Sequence, residues 1–142
     1  MIKPYNQGDE SSIAALEKEC FSEPWSAEAI AESAAEGVMF FIFEEGGKTV
    51  GYAGLQTVLD EGYITNVAVC RSHRRQGVGK ALIEEFDKVA EKFSLSFISL
   101  EVRESNTAAI ALYASCGYKN EGVRKDFYRD PRENAIIMTK RR

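Results

Sequence analysis

Val67-Ala68-Val69-Cys70-Arg71-Ser72-His73-Arg74-Arg75-Gln76-Gly77-Val78-Gly79-Lys80 is the stretch from which the fold can be read. Val67 to Val69 close an apolar strand. Cys70 to Gln76 carry three arginines and the only histidine, and the two glycines lead into a helix predicted to begin at Lys80. Leu82, Ile83, Phe86, Val89, Ala90 and Phe93 recur at three- and four-residue steps, which makes one face of that helix apolar, and Glu84 and Lys88 are expected to pair across the wet face. Glycine lets the main chain approach a ligand closely, and the first N–H groups of a helix have no partner inside it. A phosphate satisfies them, helped by the helix dipole and by nearby guanidinium groups.

Three readings compete for this turn. A nucleotide P-loop requires GxxxxGK[ST], but Ala81 follows Gly79-Lys80 and no glycine stands five residues before Gly79, so that reading fails. A dinucleotide fingerprint needs a third glycine where Leu82 stands; Glu101 lies at about the distance of a ribose-binding acid, so this reading is weakened but stays open. The third reading is RxxGxG, Arg74 to Gly79, a cradle of backbone amides for a pyrophosphate. On these six residues alone, an ordinary helix start with solvated arginines competes evenly with it.

Upstream, Met1 to Tyr5 reads as a short strand and Asp9 as the N-cap of a helix with Ile13, Leu16 and Cys20 on its apolar face. Phe21 to Ser26 breaks that helix at Pro24, and Ser26 caps a second one that Gly37 ends. Phe21 and Trp25 read first as core anchors and second as the wall of a substrate site. Val38 to Glu45, the Gly46-Gly47 turn and Lys48 to Leu59 form a hairpin, with Gly51 and Gly54 marking a bulge or a close approach. Asp60 to Gly62 then turns the chain into the strand from Tyr63 to Val69.

Downstream, Leu95 to Arg103 is a strand placed parallel to Tyr63–Val69 by the helical crossover. Asn106 caps a helix from Thr107 to about Cys116, with Ile110, Tyr113 and Ala114 on one face and Gly117 as its stop. Tyr118 to Arg124 and Ala135 to Thr139 read as strands, and the polar Lys125 to Asn134 as a long hairpin loop. The order is βααβββαβαββ, an α/β (α+β mixed sheet) fold with antiparallel N-terminal strands and a parallel central pair.

The chain has 142 residues, 44% apolar and 28% charged, which suits one domain over 1–142 and is too short for two. A net charge of −4 argues against nucleic-acid binding through a global positive field, although Arg71, Arg74 and Arg75 can serve a local anion. Cys20, Cys70 and Cys116 are odd in number and lack CxxC spacing, which points to reduced thiols, no metal cluster and the cytoplasm. The longest apolar run, Val38 to Phe43, is far short of a membrane span, and no signal pattern opens the chain.

Glu101 sits near the end of its strand, beside the cradle, where a carboxylate can accept a proton directly or through water. The bland reading pairs it with Arg103, two residues along the same face. Tyr113, at helical spacing from Ile110, reads on pattern alone as a core aromatic whose hydroxyl finds a partner.

The Arg74–Gly79 cradle resembles the acetyl-coenzyme A (acetyl-CoA) signature of the GNAT N-acetyltransferase superfamily. Leu100-Glu101-Val102-Arg103, Ser105-Asn106, Ala108 to Tyr113 and Gly117-Tyr118 resemble its ribosomal-protein-alanine N-acetyltransferase (RimI-type) branch, as do Pro24-Trp25-Ser26 and Ala135 to Met138. This resemblance implies acetyl-CoA as cosubstrate with no metal, and direct transfer to a protein N-terminal α-amine, the alanine of a ribosomal protein. It implies Glu101 as general base and Tyr113 as general acid. Val67, Ala68 and Val69 would present backbone to the pantetheine arm and thioester. Arg74, Arg75, Gln76, Gly77, Val78, Gly79 and Lys80 would hold the pyrophosphate, with Asn106 and Tyr113 also on the cofactor side. Trp25, Glu101 and Tyr128 would line the acceptor side, and a monomer or weak dimer is expected. A lysine side chain or small-molecule amine as acceptor, and a non-catalytic acyl-CoA-binding module, are the alternatives.

Overall fold

β1 (Ile2–Pro4) lies antiparallel to β2 (Met39–Glu45), which turns through Gly46 and Gly47 into β3 (Lys48–Val58). Both turn glycines have positive φ, 60° and 78°, the backbone of a tight two-residue hairpin. This describes residues 1–142 in a computed structural model. Between β1 and β2 stand α1 (Glu10–Cys20) and α2 (Ala27–Ala35). After β3 come β4 (Glu61–Val69), a 3-10 turn (Arg71–His73), α3 (Val78–Lys92), β5 (Phe97–Arg103), α4 (Thr107–Ser115), β6 (Lys119–Arg129) and β7 (Arg132–Arg141).

The seven strands form one sheet in the order β1-β2-β3-β4-β5-β7-β6, and only β4 and β5 run parallel. The expected element order and parallel pair are therefore both present. Side-chain alternation sends neighbouring residues to opposite faces. Phe41 meets Phe86 of α3, with ring centroids 5.9 Å apart, while Phe40 faces the other way toward Tyr5 and Tyr52. The sheet is thus covered by α3 on one face and by α1 on the other. The glycines of β3 serve both packing and irregularity. A Cβ on Gly51 would lie 2.8 Å from Val78, one on Gly54 2.6 Å from Thr65, and the β3–β4 register slips beside Gly54.

Several local expectations need correction. Asp9 occupies the N-cap of α1 as expected, but with helical backbone angles its side chain makes no cap bond; the carboxylate accepts from the Asn6 N–H and Lys3 instead. β4 begins at Glu61, two residues before Tyr63, and α3 begins at Val78 rather than Lys80, because Gly77 supplies the left-handed residue that starts it. Lys88 pairs with Glu85, not Glu84, and Phe93 is half exposed at the end of α3. Ala114 is exposed, and α4 packs through Ala109, Ile110, Leu112, Tyr113 and Cys116 instead. Phe21 and Trp25 are 45% and 38% exposed, so neither is a core anchor. Most of Lys125–Asn134 is strand. A register slip between Arg124 and Tyr128, with Asp126 at φ 54° and its N–H donating to Asn134 Oδ1, absorbs the extra residues and lets the β6–β7 ladder resume. No helix is long and apolar enough to cross a membrane.

Candidate active site

β4 and β5 pair over three residues only, Glu61–Phe97, Gly62–Ile98 and Tyr63–Ser99, after which β4 continues alone beside β3. One edge of β4 is therefore left without a ladder. The Cys70 N–H donates to Val50 O at 2.8 Å, so by antiparallel alternation Val69 and Val67 turn their N–H and C=O groups to the opposite, open edge. The Val69 carbonyl accepts there from Arg74 Nε at 3.0 Å and from the Cys20 thiol at 3.5 Å. Its N–H is left facing the gap. Ala68, between the two valines, is buried and turned toward β3.

The cradle follows directly. Arg75 and Gly77 both take positive φ, 63° and 83°, and Gln76 Nε2 donates back to Ser72 O, closing the turn. The first bond of α3 runs from the Ala81 N–H to Gly77 O, so the amides of Gln76, Gly77, Val78, Gly79 and Lys80 donate to nothing in the protein. Five successive free donors at a helix N-terminus suit a diphosphate. The two glycines have different jobs. A Cβ on Gly77 would meet nothing within 4 Å, so glycine serves its left-handed φ there, whereas a Cβ on Gly79 would lie 3.0 Å from the Leu112 side chain of α4, which would have to give way. Valine at 77 costs about 1–2 kcal/mol of left-handed strain or dismantles the turn. Gly77→Val is accordingly expected to weaken coenzyme A binding about tenfold or more in calorimetry; an unchanged affinity would remove the cradle from the site.

Lys80 and Arg75 are exposed beside these amides, and Arg74 is anchored to the strand end through Nε. Asn106 caps α4, its Oδ1 accepting from the Ala109 N–H at 3.1 Å, so its first duty is structural. Tyr113 is a core aromatic, as its spacing suggested, but its hydroxyl has no hydrogen-bond partner in the protein. Burial first, then the neighbouring Tyr128 and Cys116, push its pKa well above the ordinary 10.0.

Glu101 does not pair with Arg103. Its carboxylate takes Arg124 Nε of β6 at 2.8 Å, while Arg103 reaches the β6–β7 turn, donating to Pro131 O, Asp130 O and Glu133. Register explains the exchange: β7 lies between β5 and β6, and the β6–β7 hairpin folds back over the end of β5. An exposed pair such as Glu101–Arg124 is worth about 0–1 kcal/mol, so an incoming amine can displace the arginine. Arg103 also stacks 4.3 Å from the Tyr128 ring. Tyr128 has a raised pKa, through burial first and then the Glu101 charge. Trp25 lies beyond the end of α1, the helix whose Glu19 accepts from the Arg71 N–H and whose Cys20 thiol donates to Val69 O.

The pattern reading missed Glu17. It is 2% exposed, and its carboxylate accepts from the Trp25 N–H and the Tyr52 hydroxyl. The signal was present: Glu17 stands four residues after Ile13, on the apolar face.

A family model described as the Acetyltransferase (GNAT) family matches residues 11–118. The chain belongs to this acetyltransferase family. It is 40% identical over 125 residues to the [ribosomal protein bS18]-alanine N-acetyltransferase of Escherichia coli K12, covering 87% of this chain and 84% of that protein. The crystal structure of the ribosomal-protein-S18-alanine N-acetyltransferase from Escherichia coli superposes with a TM-score of 0.90 at 36% identity, over 99% of this chain and 92% of that one. Ard1 from Thermoplasma volcanium superposes with a TM-score of 0.89 at 25% identity, over 99% and 96%. This is the family that the RxxGxG run resembles, and not that of the dinucleotide fingerprint.

Proposed function

We propose that residues 1–142 act as one N-acetyltransferase domain that moves acetyl from acetyl-CoA directly to the N-terminal alanine of ribosomal protein bS18. The observation that carries the chemistry is the open edge of β4 ending in five free amides, with Glu101 and Tyr113 on the elements that follow. The acceptor is taken from the relative that shares 40% identity over most of both chains.

In this reading the free amides from Gln76 to Lys80 hold the pyrophosphate, with Arg74 and Arg75 beside it, and Val67 lines the pantetheine arm. The Val69 N–H donates to the thioester carbonyl oxygen as negative charge gathers there. Only a neutral amine attacks. At pH 7 roughly a tenth of α-amines but well under a thousandth of lysine amines are neutral, so a modest carboxylate base suits an N-terminus. Glu101 takes the proton from the amine as the C–N bond forms. As the C–S bond breaks, the Tyr113 hydroxyl donates to the departing thiolate, whose proton affinity is raised by the same burial that raises that of Tyr113. Tyr128, held by Arg103, and Trp25 flank the acceptor.

A peptide panel tests this: an Ala-initiated bS18 N-terminal peptide, its N-acetylated form, a lysine-containing blocked peptide and a polyamine. Transfer to the first alone is expected. Preferential acetylation of the blocked peptide or the polyamine would overturn the acceptor, and no transfer to any amine would overturn the enzyme.

A further inference from the structure

Glu17 is the single buried carboxylate of the chain, and the mechanism above does not use it. An apolar side chain at this place on α1 would pack against the sheet without the cost of taking a charge out of water. What Glu17 does instead is bind. Oε1 accepts from the Trp25 N–H at 2.9 Å and Oε2 from the Tyr52 hydroxyl at 2.6 Å. Tyr52 is fully buried on β3, and burial together with Glu17 keeps its hydroxyl protonated as a donor. Glu17 is thereby fixed to the sheet on one side and holds the α1–α2 connection on the other.

That connection has little else to hold it. From Ser22 to Trp25 the Trp25 N–H is the one group hydrogen-bonded to the rest of the chain; Phe21 still bonds within α1, and Ser26 already belongs to the cap of α2. The connection leaves α1 beside the reacting end of β4, because the Cys20 thiol donates to Val69 O and Glu19 accepts from the Arg71 N–H. Trp25 also borders an open groove with Ala29, Ser33 and Glu36 of α2 and its end. The connection thus starts at Cys20, against the Val69 edge, and is held at Trp25 by Glu17.

We infer that Glu17 is a positioning residue for the acceptor, which holds the Trp25 backbone, and with it the substrate-side wall, at a fixed distance from the open edge of β4. The inference rests on the acetyl-transfer reading for its kinetic part only. Trp25 is the sole tryptophan, so its emission reports on the wall directly.

Glu17→Met keeps the volume and removes both acceptors, leaving the Trp25 N–H to seek water. Glu17→Gln keeps one oxygen for the Trp25 N–H, while the Tyr52 hydroxyl can rotate to accept from the amide. Glu17→Met is expected to raise KM for the Ala-initiated peptide about tenfold, with KM for acetyl-CoA within about twofold of wild type, and to shift Trp25 emission to the red. Glu17→Gln is expected to restore both. Should Glu17→Met fail to fold, Glu17→Ala in a Tyr52→Phe background, which strands no hydroxyl, gives the same readouts. Unchanged peptide KM and emission, or a parallel rise in both KM values, would overturn the role. A wild-type enzyme that acetylates none of the peptides would overturn the functional reading instead, and the emission comparison would still decide whether Glu17 sets the wall.

Discussion

Glu101→Gln is expected to lower kcat by about 10²–10⁴-fold, the span that general base catalysis supplies, with the affinity for coenzyme A unchanged. The amide is nearly isosteric but cannot take the proton of the attacking amine. Arg124 makes the substitution informative in a second way. Its guanidinium holds the carboxylate at 2.8 Å, so the neutral amide also frees Arg124 from its charge partner. Arg124→Leu separates the two effects: it leaves the base in place and is expected to retain turnover within about threefold, since an exposed pair contributes little. Steady-state kinetics paired with calorimetry check both. A Glu101→Gln enzyme with wild-type turnover and an unchanged pH profile would retire Glu101 as the base and leave it an ion-pair residue.

Tyr113→Phe should depress the chemical step by about 10²-fold or more in single-turnover experiments, because the departing thiolate loses a buried donor whose hydroxyl is not already committed within the protein. Stability should change little, since no intramolecular hydrogen bond is lost. The pH dependence has a definite sign. Burial raises the Tyr113 pKa, so its protonated, donating form persists above the ordinary tyrosine range instead of being lost near 10. The kcat/KM profile is expected to climb as the acceptor amine deprotonates and then stay level to about pH 10. A falling limb centred near pH 10 that disappears in Tyr113→Phe would place that donor in a wet, ordinary environment and contradict its burial.

Much of the site was legible in the chain because its signals are local. The cradle is a run of glycine and amide positions next to one another, and Gly77 must be left-handed for α3 to start where the apolar seam of Leu82, Ile83 and Phe86 demands. Ser26 and Asn106 cap the helices that follow them, as their types and spacing suggested. Where local signals misled, a distant partner had intervened. The polar Lys125–Asn134 segment reads as loop until β7 supplies a ladder for it. Glu101 and Arg103 share a face and a charge complement, yet Glu101 pairs across β7 with Arg124 of β6, and Arg103 with Glu133 of β7.

By itself, then, the sequence determined the succession of elements, the parallel crossover through α3 and the glycine turn that opens α3, because periodicity, glycine backbone angles and caps act over about a turn or two of chain. Only the tertiary structure decided the separation of β4 from β5 beyond Tyr63, the placing of β7 inside the sheet, and the bond from Glu17 to Tyr52. Each depends on strand register and helix packing between residues tens of positions apart. No window short enough to show a period contains both partners.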